Sequence, residues 1–394
     1  MKLLVIGLGQ CGGRIADEFA RLNGRARNYR RIEIVPSAIA VNTDSADLSG
    51  LKAISKDYRH RILIGGRKTG GHGVGKVNEL GAEVAMEDSD KIIEAVSSGR
   101  HSLEADAFLL IASAGGGTGS GSIAVTTRAL KERYDKKPIY DLVILPFEHE
   151  AATEERTIHN TATCLKSAYS VADAVFIVDN QRYINKDASI INNMNEINRR
   201  IAAPFYDILC AGEEEKTKYI GSKTLDAGDI IQTIRGWTVL GYGQSPLPKF
   251  KLPFFKKNDF KSKNRLTSAG ITAMDEAMSE LSLGCDLADA GTTLYLMSAP
   301  RDEMNMELAK ELGDYLRSKA PNAVIRNGDY PRNVDSLSVH LIVSSLNSVD
   351  RIRRYYAESV TLAPEQDRRR EESERKLRSL EEVGMDVPSL LEKK

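Results

Sequence analysis

The chain has 394 residues, enough for two domains that each bury a core of their own. Hydrophobic residues make up 41% and charged residues 28%, the composition of an ordinary globular protein. The 55 Lys and Arg residues balance the 55 Asp and Glu residues, so no overall positive field favours a nucleic-acid partner. No apolar run approaches the roughly 18 residues of a membrane span, and the four cysteines are scattered. We therefore expect a cytoplasmic protein.

The first predicted element is an apolar strand, Lys2 to Ile6, followed by a glycine loop. Gly7 to Gly12 has the pattern G-x-G-x-x-G and leads into a helix, as in Rossmann dinucleotide-binding folds. Those folds place an acidic residue about 20 positions after the glycines, whereas Asp44 lies much further on. The loop predicts a phosphate contact, and a dinucleotide-dependent enzyme remains an alternative.

Two further strands are predicted at Ala38 to Val41 and at Arg61 to Ile64. Gly70 to Lys76, after the second of them, fits most of a Walker A loop, and Asp179 fits the matching Walker B acid. Val77, however, stands where that motif needs a hydroxyl for magnesium, so we interpret the match as coincidental. The glycines still suit a flexible loop over phosphates. For His72 and Lys76 in this loop, the competing interpretation is solvated surface.

The most informative stretch is Ala114 to Ser122, which contains five glycines. It follows the apolar strand Phe108 to Ile111, which itself follows a helix predicted from Val77 to Val96, and it leads into another helix. Amide groups and the positive end of the helix dipole then converge on one point, which favours bound phosphate.

Two more strands, Ile139 to Leu145 and Ala174 to Val178, flank a helix from Glu154 to Tyr169. This alternation predicts an α/β fold with a doubly wound parallel sheet. Ligands of such sheets lie beyond the carboxyl ends of the strands. The polar residues that follow the strands are therefore expected to converge on one site: Gln10, Asn42, Asp44, Thr118, Glu150 and Asn180.

A helix from Asp187 to Leu209 leads to the second half. Its Asn195 and Asn198 are candidates to reach a base, and the competing interpretation for each is polar surface. Asp229 is interpreted equally well as the N-cap of the following helix. Gln244 to Asn264 is predicted to be an exposed loop. The remaining elements predict a smaller α/β domain with a mixed sheet: helices Ser268 to Leu281 and Met304 to Leu316, and strands Thr292 to Met297, Ala323 to Arg326 and Leu337 to Val343. The charged tail from Ala363 is expected to be a solvated or partly disordered helix.

Taken together, these loops resemble those of the tubulin/FtsZ superfamily of polymerising GTPases, and most of all its archaeal CetZ group. Gly115 to Gly121 matches the superfamily's glycine loop residue for residue. Gly9-Gln10-Cys11-Gly12 is similar to the tubulin form of the first phosphate loop, and Asn42-Thr43-Asp44 to the FtsZ form of the second. The resemblance covers about residues 1 to 345.

The resemblance implies GTP or GDP as the ligand, with magnesium held through the phosphates and not directly by the protein. Glu150 would contact the ribose, Asn180 and Asn198 would read guanine, and Met194 would pack on the base. The full set of implied GTP-binding residues is Gly9, Gln10, Cys11, Gly12, Gly13, Arg14, Asn42, Asp44, Gly70, Gly71, Gly115, Gly116, Gly117, Thr118, Gly119, Glu150, Asn180, Met194 and Asn198.

The sequence departs from the family pattern at two places. The Arg after the ribose-contacting Glu is displaced to Arg156, as if two residues were inserted, so Glu154 and Glu155 are alternatives to Glu150. The segment that usually reads Asn-x-Asp-x-x-Asp keeps both acids, Asp226 and Asp229, but has Thr224 in place of the Asn.

The family's mechanism implies that Asp226 and Asp229 are catalytic acids that act on the nucleotide of the next subunit. Phosphoryl transfer needs a positioned water and charge stabilisation, and the glycine loops contain no evident general base. Head-to-tail stacking would supply the acids, and such a heterologous contact builds an open filament. Residues 1–185 would form the GTP-binding domain, 186–212 a central helix, 213–345 an activation and assembly domain, and 346–394 a helix and charged tail.

The implied function is that of a cytoskeletal GTPase in cell-shape control or division. Leu390-Leu391 in the tail is a candidate contact for a peptide or membrane adaptor, which would bring the protein to the inner face of the membrane. Besides the dinucleotide-dependent enzyme, the remaining alternative is a nucleotide-gated scaffold that does not hydrolyse GTP.

Overall fold

The structure, a computed structural model, describes residues 1–98, 100–184, 190–247 and 260–384. Strands and helices alternate through the first half of the chain. Its strands are β1 (Leu3–Leu8), β2 (Ser37–Asn42), β3 (Arg61–Leu63), β4 (Ala107–Ser113), β5 (Ile139–Leu145) and β6 (Ala174–Asp179). Its helices are α1 (Gly9–Arg30), α2 (Ser45–Ser49), α3 (Gly66–Thr69), α4 (Asn78–Glu87), α5 (Ser89–Ser97), α6 (His101–Glu104), α7 (Thr118–Arg133), α8 (Glu148–Thr153) and α9 (Glu155–Val171).

The second half begins with a long helix and continues with four strands. Its helices are α10 (Ile190–Ala211), α11 (Ala227–Thr233), α12 (Phe260–Ser279), α13 (Met306–Lys319) and α14 (Asp350–Gly384). Its strands are β7 (Gly236–Pro246), β8 (Thr292–Ala299), β9 (Val324–Pro331) and β10 (Ser336–Leu346). Short 3₁₀ helices span Asn180–Tyr183, Thr217–Tyr219, Leu287–Asp289 and Arg301–Glu303.

The ten strands form one sheet in the order β3-β2-β1-β4-β5-β6-β7-β10-β8-β9. Strands β1 to β6 are parallel, while β10 is antiparallel to both β7 and β8. The predicted parallel sheet and mixed sheet are thus confirmed, and three residue pairs between β6 and β7 join them. Domain limits at residues 185, 212 and 345 stay a prediction.

The register brings the carboxyl ends of the parallel strands to one edge. Leu8 of β1 lies opposite Val41 of β2 and Ala112 of β4, and Leu145 of β5 lies opposite Asp179 of β6. The loops after β1, β2, β4, β5 and β6 therefore start side by side. Loops that start together at this edge can form one binding site.

Helices cover both faces of the sheet, and a hydrophobic cluster fills each of the two layers. Along β1, Leu4, Ile6 and Leu8 belong to one cluster, and Leu3 and Val5 belong to the other. Side chains of a strand alternate between its faces, so a strand covered on both sides must be apolar throughout. This burial is the reason for the uninterrupted apolar runs in the sequence.

One predicted helix proves to be two. The segment from Val77 to Val96 forms α4 and α5, which meet at Asp88. The Asp88 carboxylate accepts a hydrogen bond from the backbone N–H of Gly65 at 2.7 Å and pairs with Lys91. A short acidic side chain that bonds to the backbone of another segment competes with helix continuation.

Strand β7 was not predicted, and the predicted loop at Gln244 to Asn264 is partly wrong. Gln244 lies in β7, residues 260–264 lie in α12, and residues 248–259 lie outside the described residues. Gly241 and Gly243 weaken the strand pattern of the sequence, because glycine inside a strand usually marks a turn or bulge. Here both glycines let α12 approach, since a β-carbon on either would collide with the backbone carbonyl of Ala277 or Ala273.

The charged tail continues α14, which runs without interruption from Asp350 to Gly384. Leu390 and Leu391, the predicted partner contact, lie outside the described residues. Within the described ranges, no helix combines the length and the apolar character that crossing a membrane requires.

We predict that a buried acid in β5 makes stability depend on pH. Asp141 is fully buried, and Thr127 donates a hydrogen bond to its Oδ1 at 2.6 Å. Burial raises the pKa of Asp141 well above its ordinary value of 3.8, although the Thr127 hydrogen bond opposes the rise. The folded state thus binds the proton of Asp141 more tightly than the unfolded state does. The contribution of Asp141 to the free energy of unfolding is therefore complete below pH 3.8 and is lost as the pH rises through the folded pKa.

Asp141→Asn has no proton to lose, so its stability relative to the wild type should increase with pH across this window. The gain is up to about 1.4 kcal/mol for each pH unit between the ordinary and the raised pKa, and urea unfolding at pH 5 and pH 7 measures it. Asp90→Asn, at an exposed position in the first turn of α5, is the matched control. An equal difference between Asp141→Asn and the wild type at both pH values would contradict the assignment.

Candidate functional site

A cavity of about 320 Å³ lies at the carboxyl edge of the parallel strands. Loops that follow β1, β2, β4, β5 and β6, together with α10, contribute to its wall. The lining residues are Leu8, Gly9, Gln10, Cys11, Asn42, Asp44, Asp47, Gly73, Lys76, Ser113, Gly115, Gly116, Gly117, Thr118, Gly119, Phe147, Glu150, Thr157, Asn180 and Met194. Every strand-end residue that was expected to converge is among them.

Some predicted contacts are not part of the cavity lining: Gly12, Gly13, Arg14, Gly70, Gly71 and Asn198. Gly12 packs against the backbone of Ile111 in β4, Gly13 faces Ala40 and Leu51, and Arg14 is exposed. Gly71 accepts a hydrogen bond from the backbone N–H of Ser45, and Asn198 is buried one turn beyond Met194. Their role in binding stays a prediction.

Other lining residues were not predicted as contacts, notably Asp47, Gly73, Lys76 and Thr157. The sequence around Lys76 did contain a pattern typical of phosphate binding, the partial Walker A match. Asp47 and Thr157 carried none, because each reaches the cavity from a helix, α2 or α9, whose sequence has no phosphate-loop pattern.

The central glycine loop is fixed by its neighbours. A β-carbon on Gly117 would lie 2.6 Å from Cγ2 of Val74 and 2.9 Å from Cα of Lys76, so this glycine permits close packing of two loops. Nδ2 of Asn160 donates to the carbonyl oxygens of Lys76 and Gly116, each at 2.9 Å. Helix α7 begins at Thr118, and its amino end therefore faces the cavity from a rigid loop.

Polar side chains connect the first two loops at the cavity. Asp47 accepts hydrogen bonds from Nε2 of Gln10 at 2.5 Å and from Nδ2 of Asn42 at 3.1 Å. The Asp44 carboxylate accepts from the backbone N–H groups of Ala46 and Asp47 and so caps α2. The predicted residues Gln10, Asn42 and Asp44 thus already form one hydrogen-bonded wall.

Asn180 has an unused hydrogen-bonding atom in the cavity wall. The residue is 5% exposed, and its Oδ1 has no hydrogen-bond partner among the described residues. Buried polar atoms in native proteins almost always have a partner. An acceptor left over at this place indicates a ligand with a hydrogen-bond donor.

Neither Cys11 nor Glu150 has the environment of a nucleophile. Burial raises the pKa of the Cys11 thiol to about 12, an effect that Arg14 opposes and Glu150 reinforces, so the thiol stays protonated. Oε2 of Glu150 accepts a hydrogen bond from the backbone N–H of Phe147 at 3.0 Å and closes the first turn of α8. Neither side chain is therefore a candidate nucleophile, and both suit a cavity that binds and orients a ligand.

The predicted insertion coincides with the break between α8 and α9, at Glu154. Glu150 lines the cavity, whereas Glu154 and Glu155 are not in its lining. Arg156 is held outside the cavity, because its Nε donates to the carbonyl oxygen of Lys76 at 3.0 Å and its guanidinium pairs with Glu79.

The two predicted catalytic acids lie far from the cavity of their own chain. Asp226 is exposed and caps α11 by accepting a hydrogen bond from the N–H of Asp229, so the cap is Asp226 and the alternative that placed it at Asp229 is wrong. The Asp229 side chain is 44% exposed and lies 3.7 Å from Nε of Arg326.

The length of helix α10 shows how far Asp226 and Asp229 lie from the cavity. Met194 lines the cavity, and Leu209, fifteen residues later, accepts a hydrogen bond from the amino group of Met1 at the opposite end of β1. Fifteen helical residues span about 22 Å. Just beyond α10, Gly212 packs on the carbonyl oxygen of Leu225, next to Asp226. A single chain therefore does not bring these acids to its own cavity.

Two protein-family models match adjoining segments of the chain. Residues 2–187 match the GTPase domain of the Tubulin/FtsZ family, and residues 187–361 match the C-terminal domain of tubulin-like CetZ. The chain is 31% identical over 381 residues to tubulin-like protein CetZ5 of Haloferax volcanii, across 94% of this chain and 93% of CetZ5. It is 32% identical over 371 residues to CetZ1 of the same organism, across 90% of each protein.

Solved structures agree with these matches. The GDP-bound monomer of CetZ1 from Haloferax volcanii superposes with a TM-score of 0.77 at 30% identity, over 92% of this chain and 100% of that one. The GTPγS-bound protofilament of CetZ2 from the same organism gives a TM-score of 0.78 at 27% identity, over 93% and 100%. With matches across both halves of its sheet, the chain belongs to the tubulin/FtsZ family of cytoskeletal GTPases, in the CetZ group.

Proposed function

We propose that the cavity binds GTP and GDP and that the bound GTP is hydrolysed only when a second subunit docks head to tail. The main support for the proposal is that the cavity and the two acids lie at separate places on one chain. A cavity lined by glycine loops lies at one end of α10, and Asp226 and Asp229 lie at the other. The related GDP-bound monomer and GTPγS-bound protofilament support both the ligand and the assembly.

The cavity wall suggests how the nucleotide is oriented. Backbone amides at Gly9 to Cys11 and at Gly115 to Gly119 would hold the phosphates at the amino ends of α1 and α7. The unpaired Oδ1 of Asn180 would accept a hydrogen bond from guanine, and Met194 would pack against the base. Glu150 is the carboxylate on the α8 side of the cavity that would contact the ribose.

Magnesium would enter with the phosphates. No group of three or more His, Cys, Asp or Glu residues in the described part of the chain is arranged to hold a metal ion. Asp47 already accepts two side-chain hydrogen bonds, which suits an acid that orients metal-bound water more than a direct ligand. When bound, magnesium neutralises charge on the phosphate oxygens.

Hydrolysis would be completed across the interface. Asp226 and Asp229 project from the exposed amino end of α11, where they can enter the cavity mouth of a neighbouring subunit and polarise a water molecule. Because two different surfaces meet, two docked subunits together leave one cavity and one pair of acids unused, and assembly continues as a filament. Such filaments would serve in cell-shape control or division, with adaptors recruited by the tail.

Pelleting assays with magnesium and GTP, GTPγS, ATP or NAD test this function. We expect GTP and GTPγS to yield sedimentable polymer and only GTP to release phosphate. Polymer without phosphate release from GTP would favour the non-hydrolysing scaffold. Tight retention of NAD, with no response to GTP, would favour the dinucleotide-dependent enzyme and refute the proposal.

A further inference from the structure

Lys76 has a left-handed backbone conformation that residues with a side chain rarely adopt. Its φ is +61°, and the nearby Gly73 and Gly75 have φ of +82° and +58°. Glycine adopts this region without steric cost, whereas a β-carbon is disfavoured there. Glycine would adopt this backbone conformation with less strain than lysine does. The presence of lysine therefore indicates that its side chain has a role.

The Lys76 backbone is anchored beside the central glycine loop. Its carbonyl oxygen accepts hydrogen bonds from Nε of Arg156 at 3.0 Å and from Nδ2 of Asn160 at 2.9 Å, both on α9. Its Cα lies close to Gly117. The side chain thus extends from a fixed point next to the amides that would hold phosphates.

Lys76 is the sole Lys, Arg or His among the cavity-lining residues that the structure describes. The nearby side chains of Arg156 and His159 contact Glu79, outside the cavity. The Lys76 ammonium pairs with Glu154, and the two side chains are 46% and 43% exposed. Ion pairs as exposed as this one contribute little to stability, so a stronger anion can replace the carboxylate.

We propose that Lys76 exchanges Glu154 for the terminal phosphate of GTP and thereby distinguishes GTP from GDP. The inference rests on the proposed nucleotide site. A lysine ammonium is a compact charge on a flexible stem with three donors, and it binds phosphate oxygens well. The terminal phosphate carries more negative charge than a carboxylate, whereas GDP lacks that group and leaves the Lys76–Glu154 pair intact.

The test compares the affinities of GDP and GTPγS, with magnesium, at protein concentrations too low for assembly. Lys76→Met removes the charge and keeps the bulk, and Lys76→Gly removes the side chain while relaxing the backbone. Both should bind GTPγS about tenfold more weakly and GDP within about twofold of the wild type. Thermal melting checks that both variants are folded, and the glycine variant should remain folded even if Lys76→Met does not.

Glu154→Gln separates this role from a merely structural one. It removes the competing carboxylate, so it should strengthen GTPγS binding by about threefold and leave GDP binding unchanged. If the Lys76–Glu154 pair only stabilised the loop, the Lys76 and Glu154 variants would instead all bind both nucleotides more weakly. That result, or an unaltered ratio of GDP to GTPγS affinity in both Lys76 variants, would overturn the inference. A wild-type protein that binds neither nucleotide would refute the proposed function itself.

Discussion

Asp226→Asn and Asp229→Asn are each expected to bind GTP with wild-type affinity and to hydrolyse it at least about 100-fold more slowly. The affinity should hold because both acids lie near the far end of α10, whose fifteen residues after the cavity-lining Met194 span about 22 Å. The rate should fall because neither amide can take up a proton or polarise water as a carboxylate does. Phosphate release at saturating GTP, together with nucleotide titration, measures both effects.

Asparagine is the informative replacement because it preserves the local structure. Asp226 caps α11, and Asn caps helices about as well as Asp, so the helix should remain. Asp90→Asn changes an acid of the same kind in the first turn of α5 and should hydrolyse GTP like the wild type. Unchanged turnover in both Asp226→Asn and Asp229→Asn would remove these acids from the mechanism.

Asn180→Leu is expected to weaken GTP binding about 100-fold and to abolish the preference for guanine over adenine. The substitution keeps the size of the side chain but removes the unpaired Oδ1 acceptor from the cavity wall. The guanine donor that this oxygen would accept is then buried without a partner, at about 2.7 kcal/mol, and every 1.4 kcal/mol is a factor of ten in affinity. Competition titrations with GTP and ATP measure the change.

Asn195→Leu provides the matched control for this prediction. Asn195 lies on α10 one residue after Met194, but it is exposed and is not part of the cavity lining. Its replacement should leave both affinities unchanged. Equal losses in Asn180→Leu and Asn195→Leu, or the same GTP-to-ATP ratio in Asn180→Leu as in the wild type, would show that Asn180 does not read the base.

The parallel sheet and the convergence of its loops were predictable because each depends on local patterns. A strand such as β1, buried on both faces, must be apolar throughout, and the glycines after it mark a turn. Parallel strands place such turns at one edge, so Gln10, Asn42, Thr118 and Asn180 could be assigned to one site from their positions after strands.

What sequence patterns did not reveal depends on tertiary contacts. The break at Asp88 follows from its hydrogen bond to Gly65, 23 positions away. Strand β7 was hidden because its glycines serve the approach of α12, not a turn. Asp47 and Thr157 reach the cavity from helices, and no local sequence motif predicts that these helices face the cavity.

The identity of the helix cap at Asp226 was also beyond sequence patterns. Asp226 and Asp229 are both good caps by residue type, and only the position at which α11 begins decides between them. The side chain that caps is nevertheless exposed, so capping does not exclude a second role at an interface.

The central claim is that one chain contains two halves of a site that only association unites. GTP turnover per molecule, measured in wild-type protein from dilute to concentrated solution at saturating GTP, tests it most directly. We expect negligible turnover in dilute protein and a steep rise with concentration to a plateau as subunits stack. Turnover per molecule that is the same at every concentration would mean that a single chain holds a complete active site, and the account would be wrong.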